Sequence, residues 1–71
     1  MDKKAVFELL ALEGIQINSK TKERINSFSD INTIETYNDK KIIMQKTENA
    51  FLVLTIDRDG SSAFGIYIDL N

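Results

Sequence analysis

Three hydrophobic patterns follow one another along the chain. The first is a dense apolar stretch, Ala5 to Leu12, built from good helix formers. Asp2 precedes it and suits an N-cap or the positive end of a helix, and Gly14 follows it and suits a C-terminal stop. Residues 2–13 are therefore predicted to form a helix. On that helix Lys4, Glu8 and Ala11 share one side, while Ala5, Val6, Phe7, Leu9, Leu10 and Leu12 cover most of the rest. The apolar arc is wider than the roughly 100° needed by a helix resting on a single surface. Either the domain wraps this helix on two sides, or part of the arc, with Phe7 and Leu12 as candidate contacts, meets a partner or a second copy.

The second pattern is sparse. Ile15-Gln16-Ile17 alternates, as a short strand or an extended connector does. Asn18 or Ser19 offers an N-cap for a short helix over 19–28, whose apolar stripe is Ile25 and Phe28 at i,i+3. Its first turns carry Lys20, Lys22 and Arg24, the wrong sign for a helix N-terminus, so its stability must come from tertiary packing. Residues 30–37 hold Ile31 and Ile34 at a helical spacing, but the Thr, Ile and Tyr content favours an extended segment or strand.

The third pattern is alternation. Asn38-Asp39 signals a turn, and 41–47 reads as a strand with Ile42 and Met44 facing one way. Glu48-Asn49 turns the chain again. Residues 50–57 are apolar on both faces (Ala50, Leu52, Leu54, Ile56 against Phe51, Val53), which predicts a central strand. Arg58 to Ser61 is a hairpin turn in which Gly60 can take positive φ. From Ala63 to Leu70, Phe64, Ile66, Ile68 and Leu70 are expected to point inward and Ala63, Gly65, Tyr67 and Asp69 outward. The expected architecture is α+β: one or two N-terminal helices packed on a three- to four-stranded antiparallel meander.

Length and composition narrow the class. A chain of 71 residues makes one small domain spanning 1–71, folded with about 60% of its unfolded surface buried. Cysteine, histidine and proline are all absent, which removes disulfides, thiolate metal sites and the commonest general base. Nine Lys/Arg against eleven Asp/Glu give a net charge of −2, so the chain has no general attraction to phosphate backbones or anionic lipid. The start, Asp2-Lys3-Lys4 running into a stretch broken by Glu8 and Glu13, does not resemble an export signal, and no apolar run approaches a membrane span. A cytoplasmic protein is expected. Seven lysines to two arginines, with frequent Ile and Asn, is a usage common in A/T-rich genomes such as those of low-GC bacteria and their phages.

Candidate chemistry is thin. Asp57-x-Asp59-Gly60-Ser61 faintly resembles the start of a calcium loop but lacks a third oxygen ligand before the glycine and a closing glutamate, so a plain turn is expected. Asp57 and Asp59 share a strand end with nothing nearby to desolvate them, and Ser61-Ser62 has no neighbouring base. No catalytic residues, metal ligands or cofactors are assigned. A winged helix-turn-helix can be drawn if 30–37 is a recognition helix. That helix would be acidic, carry no Lys or Arg to read guanine, and sit beside a hairpin tip with two aspartates. Lys20, Lys22 and Arg24, with Lys40 and Lys41, form the alternative basic patch, countered by Glu23.

Gly65 breaks the pattern, because a strand-interior glycine weakens a strand unless something approaches closely. If the helices cover the Phe64 side, the opposite face becomes a partly apolar surface carrying Phe51, Val53, Gly65 and Tyr67. The expectation is a non-catalytic protein-binding module working through apolar and acidic surface. Its concrete form would be a phage- or mobile-element-encoded inhibitor or regulator of a bacterial protein, such as a nucleic-acid-handling enzyme, or a homodimer. The expected contacts are Phe7, Leu12, Phe51, Val53, Tyr67 and the acidic set Asp57, Asp59 and Asp69 with Glu48. A nucleic-acid-binding regulator using the second helix is the alternative.

Overall fold

The structure, a computed structural model, describes residues 1–68. The expected outward position of Asp69 and inward position of Leu70 lie outside the described residues. Helix α1 spans Lys3–Leu12 and begins where Asp2, in extended conformation, accepts a hydrogen bond from the Lys4 amide at 3.1 Å. It stops in a Schellman motif. Gly14 sits at φ +76, its N–H donates to the Ala11 carbonyl, and the Ile15 N–H donates to the Leu10 carbonyl, both at 3.0 Å. The motif turns Ile15 back so that it is buried in the same cluster as Leu10. Residues 15–17 then run as an extended connector rather than a strand.

Helix α2 spans Ser19–Ser27, with Asn18 as the N-cap accepting from the Thr21 amide at 2.8 Å. It buries Ile25 and Phe28, as the i,i+3 spacing predicts, and also Thr21. The chain then forms four strands: β1 (Thr33–Tyr37), β2 (Lys40–Lys46), β3 (Ala50–Ile56) and β4 (Ser62–Ile68). They make one antiparallel meander in the order β1-β2-β3-β4. The α+β expectation holds, with four strands, and 30–37 contributes β1. The recognition helix that a winged helix-turn-helix needs is therefore not formed. Asn38 and Asp39, both at positive φ, make the two-residue turn between β1 and β2 whose twist suits a tight hairpin.

Both helices lie on one side of the sheet. Between them and that side sit Val6, Leu10, Ile15, Ile25, Phe28, Ile31, Ile43, Leu54 and Ile56, edged by Phe7, Ile17, Ile34 and Leu52. Strand β2 puts Lys41, Ile43 and Gln45 on the core side, so Ile42 and Met44 do share a face, and it is the outer one. The polar members of the core side are tied at its rim. Lys41 Nζ reaches Glu13 at 2.6 Å and donates to Thr36 Oγ1 at 2.5 Å, while Gln45 accepts from the Asp30 amide and donates to Ser29 Oγ. Strand β4 corrects a second expectation. Register places Phe64 beside Leu54, Ile66 beside Leu52 and Ile68 beside Ala50, on the helix side as expected. Yet the three are 39%, 59% and 69% exposed, because the helical layer reaches only the edge of Phe64 and ends before Ile66 and Ile68. Phe64 alone gains a ring partner, Phe28, edge to face with centroids 5.9 Å apart.

The β3–β4 turn docks the helices. Gly60 sits at φ +88, and a Cβ there would lie 1.9 Å from the Gln16 carbonyl oxygen. The Asn18 N–H donates to the Gly60 carbonyl at 3.1 Å, and the buried Thr21 hydroxyl donates to the same oxygen at 2.7 Å while sharing a hydrogen bond with Ser62 Oγ at 2.8 Å. Arg24 donates to the Ser62 carbonyl at 2.6 Å, and Arg58 donates to the Glu13 carbonyl at 3.1 Å. Replacing Gly60 with alanine combines a left-handed backbone penalty with a clash against main chain, which cannot yield as a side-chain tip would. Gly60→Ala is expected to cost about 2–4 kcal/mol, read from the urea unfolding midpoint. A midpoint matching the unmodified chain would show that connector and turn do not touch.

Candidate functional site

The outer face of the sheet is built by period-two alternation. Register aligns three rows across it: Thr33, Met44, Val53 and Gly65; Glu35, Ile42, Thr55 and Ala63; Lys46, Phe51 and Tyr67. Among the described residues no helix or loop covers this face. Its apolar members lie side by side, with Ile42, Met44 and Val53 half-buried by their neighbours, Phe51 38% exposed and Tyr67 62% exposed. The Tyr67 ring leans over Gly65, 3.4 Å from where a Cβ would sit. A Cβ at that distance would make ordinary van der Waals contact with the ring, so the contact does not by itself require a glycine. Lys46 Nζ stands 5.3 Å from the centre of the Phe51 ring, a cation–π contact at the rim.

The expected contact residues separate into groups. Phe51, Val53 and Tyr67 come together on the outer face, and Asp57 joins them at its turn end. Phe7 and Leu12 do not, because α1 lies on the opposite side of the sheet. Phe7 is half-buried against the core edge, whereas Leu12 is 87% exposed beside Glu8 and Ala11. Asp69 lies outside the described residues. Ile42 and Met44 belong to the outer face and were not singled out beforehand. Their signal was present in the alternation of β2, but only the pairing of Ile43 with Leu54 says which face is which.

The aspartates of the hairpin are engaged within the chain. Asp57 Oδ1 is shielded from solvent and faces the Lys40 ammonium at 3.2 Å. Asp59 Oδ1 closes the turn, accepting from the Ser61 amide at 2.9 Å and the Ser61 hydroxyl at 2.6 Å. With Lys40 beside Asp57 and Lys46 at the far end, the described residues of the outer face set Glu35 and Asp57 against two lysines and do not form an acidic surface. The basic patch is likewise broken up, since Arg24 is turned onto Ser62. Among the described residues no group of three or more Asp or Glu is placed to hold a metal ion, and no helix is long and apolar enough to cross a membrane.

The Ser61 hydroxyl, then the Ser61 amide, hold the Asp59 carboxyl below its ordinary value of 3.8. A carboxylate whose folded value is depressed stabilises the fold at pH above the ordinary value, and that contribution fades as pH falls through the lowered one. Carboxyl NMR titration is expected to give Asp59 a midpoint below 3.8, and Ser61→Ala is expected to move it upward. A midpoint that ignores the Ser61 substitution would mean that the turn is not closed in this way.

In comparisons with protein-family models, with curated proteins and with solved structures, nothing matches this chain.

Proposed function

We propose that the protein is a non-catalytic binding module that presents the outer face of its sheet to another protein. The observation that carries this reading is the uncovered row of Phe51 and Tyr67 beside Val53, Ile42 and Met44. Large apolar side chains grouped on an uncovered face, with charges at the margin, have the make-up of a contact surface. Aromatic anchors at the centre of such a surface carry most of the binding energy when a partner excludes water from them. The charges on this face are balanced, so the partner needs an apolar patch rather than a strongly basic one. Composition supports a cytoplasmic setting and a small regulator or inhibitor carried by a phage or mobile element, acting on a bacterial protein.

Site-specific photo-crosslinking in a low-GC bacterial lysate tests this. A benzoylphenylalanine replacing Val53 is expected to crosslink a defined protein, and one replacing Lys22 on α2 is not. Phe51→Ser with Tyr67→Ser is expected to weaken that complex by about a hundredfold, as loss of two aromatic anchors does, while leaving the thermal unfolding midpoint near that of the unmodified chain. Equal crosslinking from both positions, or none from Val53, would refute the assignment of this face.

A further inference from the structure

The two edges of the sheet are unlike. Edge strand β1 is five residues long and carries Glu35, the neighbouring turn adds Asp39, and Lys40 follows at the start of β2. These are the usual means of keeping an edge from pairing. Edge strand β4 is seven residues long, Ser62-Ala63-Phe64-Gly65-Ile66-Tyr67-Ile68, with no charge along it. It is apolar on both faces, and Ile66, Tyr67 and Ile68 are more than half exposed. An edge of this kind is a template for another strand.

The hydrogen bonds say which groups are free. The Asp57 N–H donates to the Ser61 carbonyl at 2.9 Å, so residues 61, 63, 65 and 67 face β3. Residues 62, 64, 66 and 68 therefore direct their N–H and C=O to the open edge. Arg24 already occupies the Ser62 carbonyl. Among the described residues the free run is Phe64, Ile66 and Ile68, with Ile66 at its centre.

We infer that two copies of this chain pair through β4, antiparallel, with the two-fold axis at Ile66, to form a continuous eight-stranded sheet. Several observations favour a second copy over a foreign strand. Antiparallel self-pairing about Ile66 sets Phe64 against Ile68 of the second copy, so the described free groups of one copy meet those of the other. On the outer face it sets Tyr67 against Gly65 of the second copy, so the two tyrosine rings, each lying over its own Gly65, come side by side across the axis. On the helix side, Ile68 of the second copy comes to the mouth of the groove lined by Ser27, Arg24 and Phe64. Each chain has a net charge of −2, and the described residues of β4 are an uncharged stretch through which two acidic chains can meet without opposing like charges. Phe64, Ile66, Tyr67 and Ile68 together leave on the order of 500 Å² exposed per copy, and the backbone edge adds to it. Edge pairing covers only the flanks that face the second copy, so the pair buries less than the roughly 1,000 Å² at which stable specific interfaces begin. An interface of this size fits a weak, reversible dimer rather than an obligate one. The pairing also joins the outer faces of the two copies, so the surface proposed above becomes continuous across the axis. The inference does not rest on that proposal: a monomer would leave the outer-face reading standing, and a dimer that binds nothing else would leave this one standing.

Sedimentation equilibrium of the whole 71-residue chain over a range of concentration tests it. The expected result is a reversible shift from 8.1 kDa to twice that mass. Ile66→Lys, which sets two ammonium groups against each other at the axis, is expected to weaken dimerisation by at least about tenfold. Ile66→Pro removes an N–H that faces the open edge and costs no bond to β3, so it is expected to do the same with strand content retained by circular dichroism. A wild-type chain that stays monomeric to about 1 mM overturns the inference. So does a dimer that survives both substitutions, or one abolished by Phe51→Ser but not by Ile66→Pro, which would place the contact on the outer face. If either variant fails to fold, amide exchange of the wild-type chain decides. The Phe64, Ile66 and Ile68 amides are expected to slow as concentration rises, and equal rates at all concentrations overturn the pairing.

Discussion

The close approach between the Gly60 turn and the connector at residues 16–17 decides where the helical layer sits on the sheet. Main chain meets main chain there, with no room for a side chain at residue 60. Once that contact is made, the rest follows locally. The Gly60 carbonyl receives the Asn18 amide and the Thr21 hydroxyl, so the first turn of α2 is pinned over the β3–β4 turn. Arg24, one turn on, reaches the Ser62 carbonyl, and Arg58 reaches back to the end of α1 at Glu13. Both arginines of the chain thus serve as clamps between layers. Buried carbonyls without donors would each cost about 1–3 kcal/mol, so the satisfied cluster holds the helices in one position.

That position, together with length, sets what stays uncovered. Helices of ten and nine residues span about 15 Å, while seven-residue strands span about 23 Å. Anchored at the β3–β4 turn, the helices run out before the other end of the strands. Ile66 and Ile68 overhang there on the helix side, and the molecule is elongated, 39 Å by 23 Å by 19 Å. The accessible surface of 4817 Å² slightly exceeds the roughly 4,500 Å² expected of a compact chain of this mass. The large apolar side chains left most exposed are Leu12 on α1, Tyr37 on β1, and Ile66, Tyr67 and Ile68 on β4.

The surface chemistry reflects the same economy. The two hairpin aspartates, which look like an acidic tip in the sequence, are used within the chain, one against Lys40 and one to close its own turn. Of the candidate basic patch, Arg24 is spent on Ser62. Neither sign of charge is left concentrated around these positions, whereas the apolar groups on the outer face and along β4 remain unspent. Both helices lie on one side of the sheet, and among the described residues no segment covers the other side. The distribution of oily surface is thus a consequence of the layer count.

Much of this was legible in residue order because it is local. The Asp2 and Asn18 caps, the Gly14 stop, the stripe of Ile25 and Phe28, the Gly60 turn and the two faces of β3 all depend on neighbours within a few positions. The alternation of β4 correctly grouped Phe64, Ile66 and Ile68 on one face and Gly65 with Tyr67 on the other. The sequence by itself determined the elements, their order, and which residues share a face. Only the tertiary structure decided which face meets the helices and how far the cover extends. Ile42 and Met44 lie outside rather than inside because Ile43 pairs with Leu54, and Ile66 and Ile68 are bare because α2 is short and anchored at one end. Likewise, Asp57 and Arg24 are spoken for because distant residues, Lys40 and Ser62, come beside them. Periodicity carries the direction of a side chain, but burial and charge pairing depend on what the fold brings opposite it.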